Sequence, residues 1–155
     1  MIEIALFQPD IAPNAATIIR MAACLGLKVT IIEPAGFAWT DSSFKRAGLD
    51  YLDRAVVRRS PSWQAFRRET EKRRLVLLST KAALPYSQFE FIGTDIILMG
   101  QESAGVPAEV HEAVEARILI PMKQGERSLN VSLACAMVTG EALRQTAGFP
   151  NASAL

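Results

Sequence analysis

Two rhythms of apolar residues alternate along this chain. IEIALF (2–7) is a short, nearly unbroken apolar run and predicts a buried strand. Asn14 then precedes AATIIRMAACLG, where apolar residues recur at helical spacing and Gly26 supplies a stop. LKVTIIEP (27–34) is again strand-like and closes at Pro34. Strand, helix, strand in that order predicts a parallel pair joined by a right-handed crossover.

The alternation continues. Residues 36–51 are mixed and turn-rich, with Asp41 a candidate cap for a short helix. A strand is expected at 54–58, then a helix over 60–74 opened by Ser60 or Ser62, with charges on its outer face. LVLLST (75–80) and TDIILMG (94–100) read as strands, 106–116 as a helix with Pro107 near its first turn, RILIP (117–121) as a last strand, and 128–148 as a closing helix. The fold class this implies is α/β, a mainly parallel sheet flanked by helices.

Composition narrows the picture. With 155 residues and half of them hydrophobic, one domain over 1–150 with a short tail at 151–155 is expected. A net charge of +1 argues against a dedicated polyanion binder such as a DNA-packaging protein, while leaving room for a local RNA-binding patch. Cys24 and Cys135 lie in apolar segments and are expected to be buried, reduced thiols. No metal-ligand spacing occurs. MIEIALFQP is too short and too acidic for a signal peptide, and no apolar run reaches membrane-spanning length, so a cytoplasmic protein without membrane association is expected.

Ligands of open α/β sheets bind beyond the carboxyl ends of the strands. Three such ends are chemically unusual: LLSTKA (77–82), MGQESAGVP (99–107) and IPMKQGERSLNVS (120–132). All three carry hydroxyl residues, and the last two carry glycine, which lets the backbone approach a ligand closely. Together they suggest one composite pocket. Gly100 and Gly105 do not form the dinucleotide fingerprint, and no phosphate-loop lysine follows. His111, the sole histidine, falls on a polar helix face and is expected in solvent, so no Ser-His-Asp set can be built. Arg20 interrupts an apolar helix. It is either a surface arginine laid along that helix or a guanidinium aimed at an anion. Glu102 is either a solvated loop acid or the carboxylate of the pocket.

These motifs together resemble the SPOUT class of RNA methyltransferases over nearly the whole chain, from IALFQPDIAPN to EALRQTAG. Motif one corresponds to the stretch from Asn14 to Arg20, motif two to MGQESAGVP, and motif three to IPMKQGERSLNVS with the helix after it. IIEPAGFAW and RAGLDY are similar to the small single-domain subfamily that methylates the ribose 2′-hydroxyl of the tRNA wobble nucleotide, cytidine or uridine. The resemblance implies a C-terminal deep trefoil knot, S-adenosylmethionine (AdoMet) as methyl donor, no metal, tRNA as substrate, and a homodimer in which each pocket is completed by the other subunit. It also implies Arg20, Asn14, Glu102, Ser128 and Asn130 as the catalytic set, and Leu78, Gly100, Ile120 and Ser128 as the donor site. The chain departs from the subfamily's pattern at Ala15, Ala16, Thr17, Ala104 and Leu133. The same chemistry on another RNA such as ribosomal RNA, or a catalytically silent RNA-binding dimer, are the alternatives.

In the reaction so implied, Arg20 stays charged, because a guanidinium does not give up its proton in proteins, and it stabilises the developing alkoxide. The proton leaves through phosphate, water or Glu102. Lys45, Arg46, Arg54, Arg58 and Arg59 are candidate phosphate contacts, and Phe37 and Trp39 candidate stacking partners for an anticodon base.

Overall fold

The computed structural model describes residues 1–38, 42, 46, 51 and 53–151. Trp39, Asp41, Lys45, most of RAGLDY and the tail beyond 151 lie outside these residues. Among the described residues the order is β1 (Glu3–Phe7), α1 (Ala12–Leu25), β2 (Lys28–Ile32), β3 (Val56–Ser60), α2 (Trp63–Glu69), β4 (Leu75–Leu78), β5 (Leu84–Pro85), β6 (Ile96–Met99), α3 (Ala108–Ala113), β7 (Ala116–Leu119) and α4 (Val131–Gln145). The described strands form one sheet in the order β3-β2-β1-β6-β4-β7-β5. All its pairings are parallel.

The unbroken apolar runs now have their reason. Successive strand residues face opposite sides, and both sides of this sheet are covered. Ile4 and Leu6 of β1 face a core shared with Ile18 and Ile19 of α1 and Cys135 and Val138 of α4. Ala5 and Phe7 face the other layer, built with Trp63 and Phe66 of α2 and Val110 and Val114 around α3. Ile97 and Leu98 of β6 divide the same way between the two layers. Burying each large side chain stabilises the fold by roughly 1.5–3 kcal/mol.

Element ends move for identifiable reasons. α1 starts at Ala12 with Pro13 in its first turn, so Asn14 is inside the helix and does not cap it. Gly26 ends it as expected, with φ +67°. β3 lies two residues later than predicted, because the N–H groups of Arg54 and Ala55 both donate to Tyr51 O in a turn (3.1 and 2.8 Å). α2 is much shorter than predicted. Ser62 caps it by accepting from Ala65 N (3.1 Å). Past its end, Arg73 and Arg74 are drawn into ion pairs with Glu3 and Asp95, and the helix does not reach them. β5 was not predicted; its proline is tolerated at the sheet edge.

Cys135 is buried, as expected, and burial pushes its thiol up to about 12. Cys24 is a correction: it lies on the exposed side of α1. Its neighbours Ala22 and Ala23 take the inward and flanking positions, Ala22 being buried. No described helix is long and apolar enough to cross a membrane.

Candidate functional site

β1, β4 and β6 are adjacent, with β7 beside β4, so their carboxyl ends open on the same edge of the sheet. A cavity of about 480 Å³ lies there. All three of the unusual loops line it: Leu78 to Lys81, Gly100 to Val106 except Ser103, and Ile120 to Val131 in part.

Each loop is held by its own chemistry. After β4, Ser79 N donates to Ile118 O (2.9 Å), and Ser79 Oγ accepts from Lys81 N (3.1 Å). After β6, Gln101 and Gly105 exchange two backbone hydrogen bonds of 2.8 and 2.9 Å, pinching the loop into a narrow turn. Gly105 has φ +67°, and a Cβ at Gly100 would lie 2.8 Å from the carbonyl carbon of Gly105. Both glycines are therefore required by geometry. After β7, Asn130 caps α4: its Oδ1 accepts from Ser132 N (2.8 Å), Ser132 Oγ (2.6 Å) and Leu133 N (3.4 Å).

The cap also ties two distant motifs together. Asn130 Nδ2 donates to Asn14 Oδ1 at 3.0 Å, across 116 residues. Asn14, inside the first turn of α1, is thus a rim residue of the cavity. Asn14, Glu102, Ser128 and Asn130 all line it, as do Leu78, Gly100 and Ile120. Arg20 does not. It is exposed on α1, and among the described residues no carboxylate pairs with it; its guanidinium lies 4.8 Å from the centroid of the Tyr51 ring.

Two residues went unrecognised in the sequence. Asp10 accepts from Glu102 N through Oδ1 (3.1 Å) and from Ser103 Oγ through Oδ2, while its own N–H donates to Glu102 Oε2 (3.2 Å). It fastens the motif-two loop to the end of β1. Burial first, and then a side-chain hydrogen bond for which the Asp10 carboxylate is the acceptor, push Glu102 above the usual carboxylate range. The same bond to Glu102, with Ser103 and backbone N–H groups adding to it against burial, holds Asp10 below that range. The signal for Asp10 was an acid just past the end of β1, but it gains meaning only once β6 is known to lie beside β1.

The second is His111, and here the expectation of a solvated histidine is corrected. It is half-buried and lines the cavity, with Nε2 buried and making no hydrogen bond. α3 packs Val110 inward against Leu77 and its layer, which turns the next residue toward the cavity wall.

The departures from the subfamily pattern also have places. Ala15 and Ala16 are buried in the core, and Thr17 Oγ1 donates to Pro13 O (2.9 Å) within the helix. Ala104 lines the cavity, and Leu133 is exposed on α4. Of the predicted phosphate contacts, Arg58 pairs with Glu69 and Arg59 with Glu33. Phe37 is half-buried against the core. Among the described residues, no group of three or more His, Cys, Asp or Glu is placed to hold a metal ion.

Leu77, Leu78, Met99, Ile120 and Val131 give the cavity apolar walls, and Asn14, Glu102, His111, Ser128 and Asn130 are among the polar residues that line it. A cavity of this size with apolar walls and several polar groups suits a small molecule.

Similar proteins are consistent with this geometry. The tRNA (cytidine(34)-2′-O)-methyltransferase of Ancylobacter novellus is 57% identical over 96% of this chain and 95% of its own. The protein of that name from Escherichia coli strain K12 is 40% identical, over 98% of both chains. A solved structure described as giving structural insights into the 2-OH methylation of C/U34 on tRNA superposes with a TM-score of 0.90 at 35% identity, covering 94% of this chain and 95% of that one. Residues 1–140 match the SpoU rRNA Methylase family, and with near full-length relatives at these identities the chain belongs to that family.

Proposed function

We propose that this protein transfers a methyl group from AdoMet to the ribose 2′-hydroxyl of the wobble nucleotide, cytidine or uridine, of tRNA. It acts as a cytoplasmic homodimer of one domain per subunit, with the C-terminal segment threaded as a deep trefoil knot. The observation that carries the reading is the single cavity in which the three loops meet Asn14, with relatives of nearly equal length that bear this activity in their names.

The residues fit the donor. Leu78, Gly100, Ile120 and Ser128 all line the cavity, and Gly100 allows the loop after β6 to pinch closely against Gly105. When bound, AdoMet supplies an already activated methyl on its sulfonium, so the protein's task is position and electrostatics. The loops would position the ribose hydroxyl for attack on the donor, and orientation of this kind is worth roughly 7–11 kcal/mol in ideal cases. Asn14 and Asn130 set the rim against which the ribose rests. Glu102, the carboxylate among the lining residues, accepts the proton, and its raised proton affinity suits that role.

Arg20 enters from the partner subunit. The exposed apolar residues Leu133 (60%) and Met137 (42%), one turn apart on α4, and Ile11 (44%) beside the cavity, give the dimer its contact surface. The guanidinium remains charged and stabilises the negative charge that develops on the 2′-oxygen. Arg20→Lys keeps the charge but loses the planar fork, and turnover should fall about 10²–10³-fold with AdoMet affinity intact.

The test of the reading is direct. Protein, labelled AdoMet and total tRNA from a strain lacking wobble-ribose methylation are incubated, and the labelled nucleotide is mapped. Label on the wobble ribose is expected. Label on a base, or in ribosomal RNA alone, overturns the substrate, and absence of AdoMet binding by calorimetry overturns the enzyme.

A further inference from the structure

One polar atom at the cavity wall is left without a partner. The His111 ring lines the cavity and is half-buried, and its Nε2 is buried and makes no hydrogen bond among the described residues. The backbone that carries the ring is held in place. His111 N donates to Pro107 O (3.0 Å), Arg117 Nε donates to His111 O, and a terminal nitrogen of Arg117 donates to Glu112 O (3.1 Å). Val110, the preceding residue, is packed in the core with Leu77. The ring itself can still turn about its own bonds, which changes the edge it shows to the cavity.

A buried nitrogen left unbonded costs stability, and natural structures keep few of them. That cost is offset when a group entering the cavity bonds the ring. The surroundings select the kind of group. On this side the cavity is apolar: Leu77 is buried, and Val106 packs partly buried against the layer that α3 covers. A charged group brought there would lose its hydration against aliphatic side chains. An uncharged group with a hydroxyl or a ring nitrogen loses less, and an imidazole can donate to it or accept from it according to tautomer. The rim formed by Asn14 and Asn130 belongs to α1 and the start of α4, which cover the other face of the sheet. AdoMet has an end of each kind. Its amino-acid end carries an ammonium and a carboxylate, whereas its adenosine end is uncharged and offers hydroxyls and ring nitrogens.

We infer that His111 is a donor-binding residue whose Nε2 hydrogen-bonds the adenosine half of AdoMet. The inference rests on AdoMet being the methyl donor and is independent of which RNA is methylated.

The chain has a single histidine, so its ring nitrogens can be followed by ¹⁵N NMR in the full-length protein. The probe is 5′-methylthioadenosine, the adenosine half without the amino acid. Its addition should move the Nε2 resonance more than that of Nδ1. Calorimetry then compares AdoMet and methylthioadenosine on wild type, His111→Leu and His111→Gln. His111→Leu should weaken both ligands about tenfold, the worth of one buried hydrogen bond. The urea midpoint of the unliganded protein should not fall, because the unbonded nitrogen is gone. His111→Gln, whose amide can donate or accept, should restore most of the affinity. A histidine with a structural role alone gives the reverse, a lower midpoint in His111→Leu with affinity unchanged. That result, or an Nε2 resonance that methylthioadenosine does not move, overturns the inference. Weaker AdoMet binding with methylthioadenosine unaffected puts the contact on the amino-acid half and also overturns it. If His111→Leu does not fold, the wild-type NMR shift decides. Absence of AdoMet binding to the wild type overturns the donor reading beneath, whereas wild-type binding with unchanged affinity in His111→Leu rejects the inference alone.

Discussion

The two ends of this sheet are built from the same strands and are opposites in chemistry. At the amino ends, charges are matched within the chain. Asp95, fully buried, takes both Arg74 Nε and a terminal nitrogen at 2.8 Å and also accepts from Ile92 N (2.9 Å). Arg73 pairs with Glu3 at 2.6 Å and donates to the carbonyls of Met1 and Thr94. Glu115 accepts from Leu75 N (2.8 Å) and pairs with Arg67. At the carboxyl ends, glycines, amides and a raised carboxylate surround a cavity. One end is closed by its own residues; the other opens into a cavity. Stability and binding are therefore separable by mutation, although the strands are continuous between them.

The strongest way to test that separation is Asp95→Ala. Removing the carboxylate leaves Arg74 partly buried without its partner, and the fold should lose about 3 kcal/mol in urea unfolding. AdoMet affinity of the folded fraction should not change. Thiol labelling gives a second measurement: exposed Cys24 should react at once, while Cys135 should react only on opening, about a hundredfold faster in Asp95→Ala than in wild type. An unmoved urea midpoint would break the comparison at its stable end.

Gly100→Ala addresses the other end. The new Cβ meets the backbone of Gly105, where no flexible side chain can yield, so the pinched loop must shift. AdoMet affinity should fall about ten- to a hundredfold, with a smaller change in urea midpoint than Asp95→Ala produces and with Cys135 still slow. Intact affinity would show that the pinch does not shape the cavity.

The finest distinction concerns the acid pair. Glu102 keeps its proton to higher pH folded than unfolded, so its contribution favours the fold at low pH and is lost as pH rises through its folded value. Asp10 has the opposite sign: its contribution is present above the ordinary carboxylate range and disappears as pH falls through its depressed value. Asp10→Asn removes the charge that helps raise Glu102 and leaves burial as the remaining cause. The carboxyl carbon of Glu102, followed by NMR, should titrate at lower pH than in wild type. Titration at unchanged pH would mean that burial alone sets it.

Much of this was legible in the chain. Both-sided burial wrote the central strands as apolar runs, and the three glycine- or hydroxyl-bearing strand ends did converge on one cavity. What could not be read depended on adjacency. Asp10 matters because β6 lies next to β1, and Asn14 because α4 begins beside it; neither neighbour is near in sequence. His111 was misjudged because a six-residue helix offers too few turns to show which side faces inward. Arg20 was legible as an exception to an apolar stripe, but its bracing by Tyr51 is a contact between distant segments that no periodicity encodes.

The link between Asn14 and Asn130 also sets a schedule. Ribosomes deliver the amino end first, so β1 emerges with β2 soon available, whereas the strand that fills its other side, pairing Glu3 with Ile96, arrives much later. The rim of the cavity waits longer still, until α4 has left the exit tunnel. A nascent chain therefore has no complete cavity at the carboxyl ends of its strands until α4 docks.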